Sequence, residues 1–403
     1  MEKSTTRSST TITISIMLLY LIQWGAQYIG YNFLPIYIDS LPFATNSTTG
    51  LAIAVGAAVT TCAQPIWGRL GDHAKTKNRV LIAALLLEAV MGLLFFFELP
   101  SLALLLLCVI LFYIPFLAPQ ALIDTIVVEN ANKTRVRFGM LRCFASGGAA
   151  LMAFIFGAVS NMTNIKAFTL FAICAAGSVI PLLFIPKTKG HAHGTKQKGA
   201  YRELIRNKRF VLFLFYGFCL FLCGAMINAF FPIYFTTEKG LNAGTEVYGV
   251  FMGITILGEW ALMFFGARLF SRMNPYIVFM FPLVFGIFRM LIPSLSTTWT
   301  DMIIYPIFHV LWFAPLWTKV APFIQSVMPL EMRATGQSVW TIITCGIAPV
   351  IGSLAAGWLA DSIGIRSMFL TICFMMIGLS VLFFFLFFRQ MRIDKREGWE
   401  MQV

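Results

Sequence analysis

Phe33-Leu34-Pro35-Ile36-Tyr37 returns as Phe230-Phe231-Pro232-Ile233-Tyr234, 197 residues later in a chain of 403. Gly56 falls on Gly253 and Gly139 on Gly336 at the same spacing. An offset held through three separate segments identifies two homologous halves rather than a local coincidence. The quoted stretches are apolar and aromatic around a proline, and the chain about them has the same character. It is 59% hydrophobic and 12% charged, with mean hydropathy +0.81. A water-soluble domain carries about 25% charged residues, so the surface of this chain must face lipid.

A helix crossing the hydrocarbon core needs roughly 20 apolar residues. Twelve such stretches are present, at 12–38, 49–69, 80–97, 101–129, 138–160, 165–186, 210–235, 246–269, 275–293, 301–328, 336–360 and 366–388. The expected fold is therefore an all-α membrane protein of twelve transmembrane helices in two pseudo-symmetric six-helix bundles. Residues 1–186 form the first bundle, 187–209 a polar linker, and 210–403 the second bundle with its tail. The first apolar run is too long for the core of a cleavable signal and has no small-residue cleavage site, so it reads as the first span. The charged Arg389–Val403 segment is expected to fray beyond the last helix.

The net charge of +13 is explained by topology. With twelve spans, 24 of the 30 Lys and Arg residues fall on one side, in the N-terminal segment, the even set of loops, the 187–209 linker and the tail. The opposite side holds Lys166, Lys239 and Arg366. Cytoplasmic loops carry this excess, which places both termini and the linker in the cytoplasm of a plasma, or bacterial inner, membrane. Nucleic acid is not needed as a partner. The eight cysteines are scattered through apolar segments, without the four convergent ligands of a zinc site. His191 and His193 in the linker form an isolated pair. No metal or other cofactor is expected.

Duplicated membrane halves point to transport, because transporters often rock one repeat against the other to expose a site to each side in turn. Ionisable side chains inside spanning helices are costly and therefore functional candidates. They are Glu88, Asp124, Glu129, Arg142, Glu259, Arg289, His309 and Lys319. Asp124 and Arg142 lie nine residues either side of Lys133, about 13 Å of helix rise. They stand at equal depth on adjacent antiparallel helices and can pair. Glu259 lies about 20 Å from the outer end of its helix and Arg289 about 21 Å from the inner end of the next, so both fall near the midplane. His309 lies about 12 Å in on the tenth helix.

The loop after the second span reads Gly68-Arg69-Leu70-Gly71-Asp72-His73-Ala74-Lys75-Thr76-Lys77. Its glycines let helix ends approach, and Asp72 can accept from a neighbouring helix N-terminus. Gly68 and Asp72 are thus candidates for a conformational latch. The loop resembles the signature of the major facilitator superfamily, Gly-x-Leu-(small)-Asp-(basic)-x-Gly-(basic)-(basic). The first five positions match, while His73 and Lys75 depart from the pattern. The second half's counterpart, Gly266 to Arg272, lacks the Asp.

The intramembrane charges resemble more narrowly the branch containing lactose permease and phenylpropionate permease. Phe138-Gly139-Met140-Leu141-Arg142-Cys143-Phe144 is similar to its fifth helix, and Arg333-Ala334-Thr335-Gly336-Gln337 to the loop before its eleventh. The resemblance implies that Asp124 and Arg142 hold substrate, and that Glu259, Arg289 and His309 link substrate to protons. Three departures accompany it. Ala149 stands where an aromatic stacks on sugar, Trp312 where a proton-carrying Glu follows the His, and Asn228 nearest to where the seventh helix has an Asp.

The expectation is a proton-coupled symporter, a monomer, importing a small polar organic solute by alternating access. A sugar or oligosaccharide leads, followed by nucleosides and aromatic acids. A proton-driven exporter is the alternative within transporters, and a non-transporting sensor the rival from another class. No nucleophile elbow, metal-ligand cluster or nucleotide loop supports an enzyme. The topology is directly testable. Reporter fusions after Lys198 and after Val403 should both report from the cytoplasm, and an external signal from either would refute the assignment.

Overall fold

The computed structural model describes residues 8–130, 136, 138–159, 162–190, 206–329 and 332–398. Lys3, Arg7, Lys133, His191, His193, the 191–205 part of the linker and residues 399–403 lie outside the described residues. Among those described, all regular structure is helical, with twelve helices long and apolar enough to cross a membrane. They are α1 (Ser9–Asp39), α2 (Asn46–His73), α3 (Lys77–Phe96), α4 (Leu102–Asn130), α5 (Met140–Ala158), α6 (Asn164–Leu182), α7 (Lys208–Thr236), α8 (Gly244–Gly266), α9 (Pro275–Leu295), α10 (Trp299–Val327), α11 (Thr335–Ile363) and α12 (Ile365–Glu397).

Helix starts are set by side chains that accept otherwise unpaired backbone N–H groups. Ser8 accepts from Thr11, Ser101 from Leu104, Thr163 from Lys166, and Asn207 from Phe210. Asn274 caps α9, with Pro275 in its first turn. Several spans are interrupted, α4 and α11 among them. α4 is made of Leu102–Phe116 and Ala118–Asn130, with Pro115 just before the junction. α11 contains a π-helical stretch at Ile342–Ile347.

The chain divides into two compact units. The first comprises Met1–Phe43, Ala58–Gly194 and Thr245–Gly253; the second comprises Ala44–Ala57, Thr195–Gly244 and Ile254–Val403. The repeated Phe-x-Pro-Ile-Tyr segments do the same work in each. In the first unit Tyr37 donates from its hydroxyl to the carbonyl of Phe97, 3.1 Å away just past α3, and meets Phe168 of α6 edge-on at 5.9 Å. In the second, Tyr234 donates to Pro293 of α9 at 2.6 Å and meets Phe369 of α12 edge-on at 5.2 Å. Each tyrosine ties the first, third and sixth helices of its repeat.

In the first unit α1 and α5 touch backbone to backbone. A Cβ at Gly148 would lie 2.0 Å from the carbonyl oxygen of Leu21, so only glycine permits this approach. Tyr248 donates to Asn32 at 2.6 Å, and the 245–253 segment lies against α5, with Gly249 beside Gly157. In the second unit the start of α2 lies on α11. Asp361 accepts from the backbone N–H of Asn46 at 2.9 Å and of Ser47 at 2.7 Å, and Gly50 abuts Gly357. A carboxylate there satisfies orphan donors and the positive helix end together.

The last helix differs from expectation. Rather than fraying at Arg389, α12 runs to Glu397. Arg209 holds it, donating from Nε to Asp394 at 2.8 Å and pairing with Glu397, while Gln390 donates to Asp394 at 2.7 Å.

Substituting Gly148→Val should drive a branched side chain into the α1 backbone. Overpacking of this kind costs roughly 1–3 kcal/mol, and the expected outcome is a lower thermal-unfolding midpoint for the purified protein in detergent. An unchanged midpoint would contradict the close α1–α5 contact.

Candidate functional site

One polar cluster of the first unit joins α1, α4 and α5. Asp124 on α4 and Arg142 on α5, which equal depth on antiparallel helices predicts as a pair, stand with Nε 3.5 Å from Oδ1. The structure adds two α1 side chains that depth alone did not single out. The Tyr20 hydroxyl donates to the same Asp124 oxygen at 2.6 Å. The Arg142 guanidinium lies 4.4 Å from the Trp24 ring centroid and 5.6 Å from that of Tyr20, and the two rings are 5.2 Å apart. Tyr20 and Trp24 are one helical turn apart, so they share a face. That spacing was the available signal.

Gly148 lets α1 lie close against α5 at Leu21, between Tyr20 and Trp24, so this approach supports the cluster. More than a third of each charged side chain remains exposed. A carboxylate and a guanidinium held on aromatic faces, yet only partly covered, can exchange bonds with the hydroxyls or other polar groups of a solute.

The second unit holds a longer and more enclosed chain of groups. His309 on α10 lies with Nε2 2.7 Å from Glu259 Oε1 on α8, both side chains nearly buried. Arg289 on α9, only 1% exposed, donates from Nε to His309 Nδ1 at 3.1 Å. A nitrogen that accepts from a guanidinium carries no proton. The geometry therefore assigns a neutral imidazole whose Nε2–H donates to the carboxylate. The three residues named from sequence are thus brought into one line.

Two of the three departures from the resembling branch, Asn228 and Trp312, belong to the same cluster. Arg289 Nη2 donates to Asn228 of α7 at 2.6 Å, and the guanidinium sits 4.2 Å from the Trp312 ring centroid. Where a carboxylate would neutralise Arg289, this chain offers an amide oxygen and an aromatic face. Gly224 and Gly286 leave room for the indole, each with a would-be Cβ 3.1 Å from it. Tyr305, one turn before His309, places its hydroxyl 3.4 Å from the same Nδ1. Arg289 Nη1 is buried without a partner among the described residues.

At the end of α2, Gly68 has nothing near its would-be Cβ and lines a pocket with Gly71, Asp72, Lys77 and Leu122. Asp72 is more than half exposed and lies 3.9 Å from Lys77, rather than on the N–H groups of a neighbouring helix. Lys77 itself is buried and bonded to Glu129 on α4. The first residues of the linker lie at this end, with Lys77 N–H donating to Thr188 O at 2.8 Å and Asn130 donating to the Thr188 hydroxyl at 2.8 Å.

Comparison with known proteins follows the same lines. The model of the MFS_1-like family matches residues 13–371. The uncharacterized transporter YwbF of Bacillus subtilis (strain 168) is 24% identical over 346 residues, 84% of this chain and 84% of its own length. The maltose permease of Geobacillus stearothermophilus is 22% identical over 361 residues, 85% of this chain and 87% of that protein. In structure the chain is similar to the nucleoside transporter NupG, with TM-score 0.79 at 15% identity over 93% of this chain and 99% of NupG. An inward-facing bacterial homolog of the human lysosomal transporter Spinster gives TM-score 0.72 at 12% identity, covering 94% and 97%. At these identities the structural likeness concerns the fold. The family match runs through eleven of the twelve helices and into the last, and the chain therefore belongs to the MFS_1-like family, as a multi-pass membrane protein and secondary transporter of the major facilitator type rather than an enzyme.

Proposed function

We propose that this transporter is a proton-coupled symporter of the cell membrane, importing a small polar organic solute, with a sugar or oligosaccharide first. Asp124 and Arg142 hold the substrate, and Glu259, His309 and Arg289 carry the coupling. The observation that supports this most directly is the Glu259–His309–Arg289 line, in which a neutral imidazole separates a nearly buried carboxylate from a buried cation. Protonating Glu259 would remove the anion at one end and leave Arg289 among neutral groups alone: His309, Asn228 and Trp312. A buried charge whose counter-charge is removed is strongly disfavoured, so proton binding there would drive rearrangement of the helices that carry the line.

The substrate assignment is supported by chemistry at the first cluster and by one relative. Arg142 and Asp124 offer donors and acceptors suited to vicinal hydroxyls. Tyr20 and Trp24 supply aromatic surface beside them. The Geobacillus stearothermophilus relative is a maltose permease. A nucleoside is the second reading, favoured by the same aromatic pair, since a base also stacks on such rings. Gly68 and Asp72 would act with Lys77 and Glu129 as a latch at the cytoplasmic end.

The deciding experiment is uptake into vesicles containing the purified protein. Labelled sugars, nucleosides and aromatic acids are each supplied with and without an inward proton gradient. Gradient-dependent accumulation of one of the sugars supports the first reading, and of a nucleoside the second. Efflux driven by the opposite gradient would make the protein an exporter, and no saturable flux of any solute would favour a sensor.

Asp124→Ala and Arg142→Ala should each reduce substrate binding by at least about tenfold, the loss expected for removing a charge-assisted hydrogen bond, while protein still reaches the membrane. Near-normal affinity in either variant would make the pair structural. Glu259→Gln should keep part of the exchange of substrate down its gradient and lose proton-driven accumulation. Substrate-induced proton uptake in de-energised vesicles separates the carriers. If Glu259→Gln takes up protons normally and Asp124→Asn does not, the coupling acid is Asp124.

A further inference from the structure

Glu88 on α3 takes no part in the line of coupling groups just described, yet its burial is complete. It bears a carboxyl group in the middle of the first unit with no cation bonded to it among the described residues. Its partners are amides. Gln23 of α1 donates from Nε2 to Glu88 Oε2 at 2.7 Å, and Gln27 Nε2 lies 3.5 Å from Oε1. Gln27 also bonds the carbonyl of Phe116, and its own oxygen accepts from Gln120 of α4 at 2.7 Å. Gln23 and Gln27 are themselves buried, and Gln120 is half-buried. The titratable groups on the neighbouring helices are Tyr20, Tyr28, Tyr31, Tyr37 and Asp39 on α1, Cys108, Tyr113, Asp124 and Glu129 on α4, and Lys166 and Cys174 on α6; among the described residues none of them bonds to Glu88.

Two physical points follow from this surrounding. A carboxylate charge removed from water with no cation beside it is strongly disfavoured, so the neutral acid suits the site. A glutamine amide is also an ambivalent partner. It presents N–H to a carboxylate, and when turned over it presents an oxygen to the acid O–H. A lysine or arginine in its place would accept only the charged form. The cage around Glu88 can therefore bond to either protonation state, which a purely structural buried acid does not require.

The amides also lead elsewhere. Gln23 is three residues from Tyr20 on α1, and Gln120 four residues from Asp124 on α4, so each pair shares a helix face. Tyr20 and Asp124 are joined by the 2.6 Å hydrogen bond of the first cluster. A change in the bonding of Gln23 or Gln120 thus acts on the two helices that hold that bond.

We propose that Glu88, caged by Gln23, Gln27 and Gln120, is a second proton-binding site, separate from Glu259 and His309, whose occupancy is felt at Asp124 through α1 and α4. The effect on substrate rests on the reading of Asp124 as a substrate ligand; proton binding at Glu88 does not.

The test uses the full-length protein in lipid vesicles without substrate, with infrared difference spectra recorded between acidic and alkaline buffer. The expected result is a carbonyl stretching band of a protonated carboxyl that is lost in Glu88→Gln and kept in both Asp124→Asn and Glu259→Gln. A difference spectrum unchanged by Glu88→Gln would overturn the proposal, as would a band lost only in Glu259→Gln. Should Glu88→Gln fail to fold, Gln23→Ala provides the second arm, because it keeps the carboxyl and removes its nearest partner. A shift in that band's frequency and titration midpoint is expected, and the absence of any shift would rule out the cage. Normal substrate binding by Asp124→Ala with the Glu88 band intact would overturn the substrate reading alone.

Discussion

Inside a membrane, a polar group that has left water must find its partner within the protein, and this requirement orders the whole structure. The paired tyrosines of the two repeats show it at its simplest. A buried tyrosine hydroxyl on the first helix of a half needs an acceptor, and it takes a carbonyl at the C-terminal end of the third helix. In doing so it draws helices together that are not neighbours in sequence. The same solution was kept in both halves, although the surrounding apolar residues have diverged.

The charged residues obey the rule in two different ways. Asp124 and Arg142 neutralise each other and remain partly exposed, so they retain capacity for a further partner. The Glu259, His309 and Arg289 line is nearly sealed and spreads its charges through neutral groups: an imidazole, an amide and an indole. A directly paired buried acid and base would be rigid, and removing either member would strand the other. Neutral spacers leave the protonation of the acid adjustable. Glu88 goes further and uses amides alone.

Transporters with this scaffold serve chemically different substrates while sharing little sequence. The helix-on-helix core is maintained by glycine contacts and aromatic packing, which tolerate exchange of one apolar residue for another. Chemistry resides in a few side chains and is grafted on that frame. Trp312 illustrates such grafting. Its indole takes a place opened by Gly224 and Gly286 and converts what would be an ionic neighbour of Arg289 into an aromatic one.

The amino-acid sequence by itself determined the duplication, the twelve helices and the depth of each buried charge. These depend on run length, on rise per residue and on a fixed bilayer thickness, all of which are local or additive along the chain. Equal depth was enough to bring Asp124 to Arg142, because their helices are joined by one short loop. Depth says nothing of rotation about a helix axis or of which distant helix lies alongside. Tyr20 and Trp24, more than a hundred residues from their charged partners, could only be assigned once Gly148 was seen to hold α1 on α5. Asn228 and Trp312 stand in the sequence only as departures from the resembling branch, and the packed helices place both against Arg289. The persistence of α12 to Glu397 likewise came from Arg209, far away in sequence. Those decisions belong to tertiary structure, because a hydrogen bond or a ring contact is made at about 3–5 Å, and only the packed helices bring residues so far apart within that range.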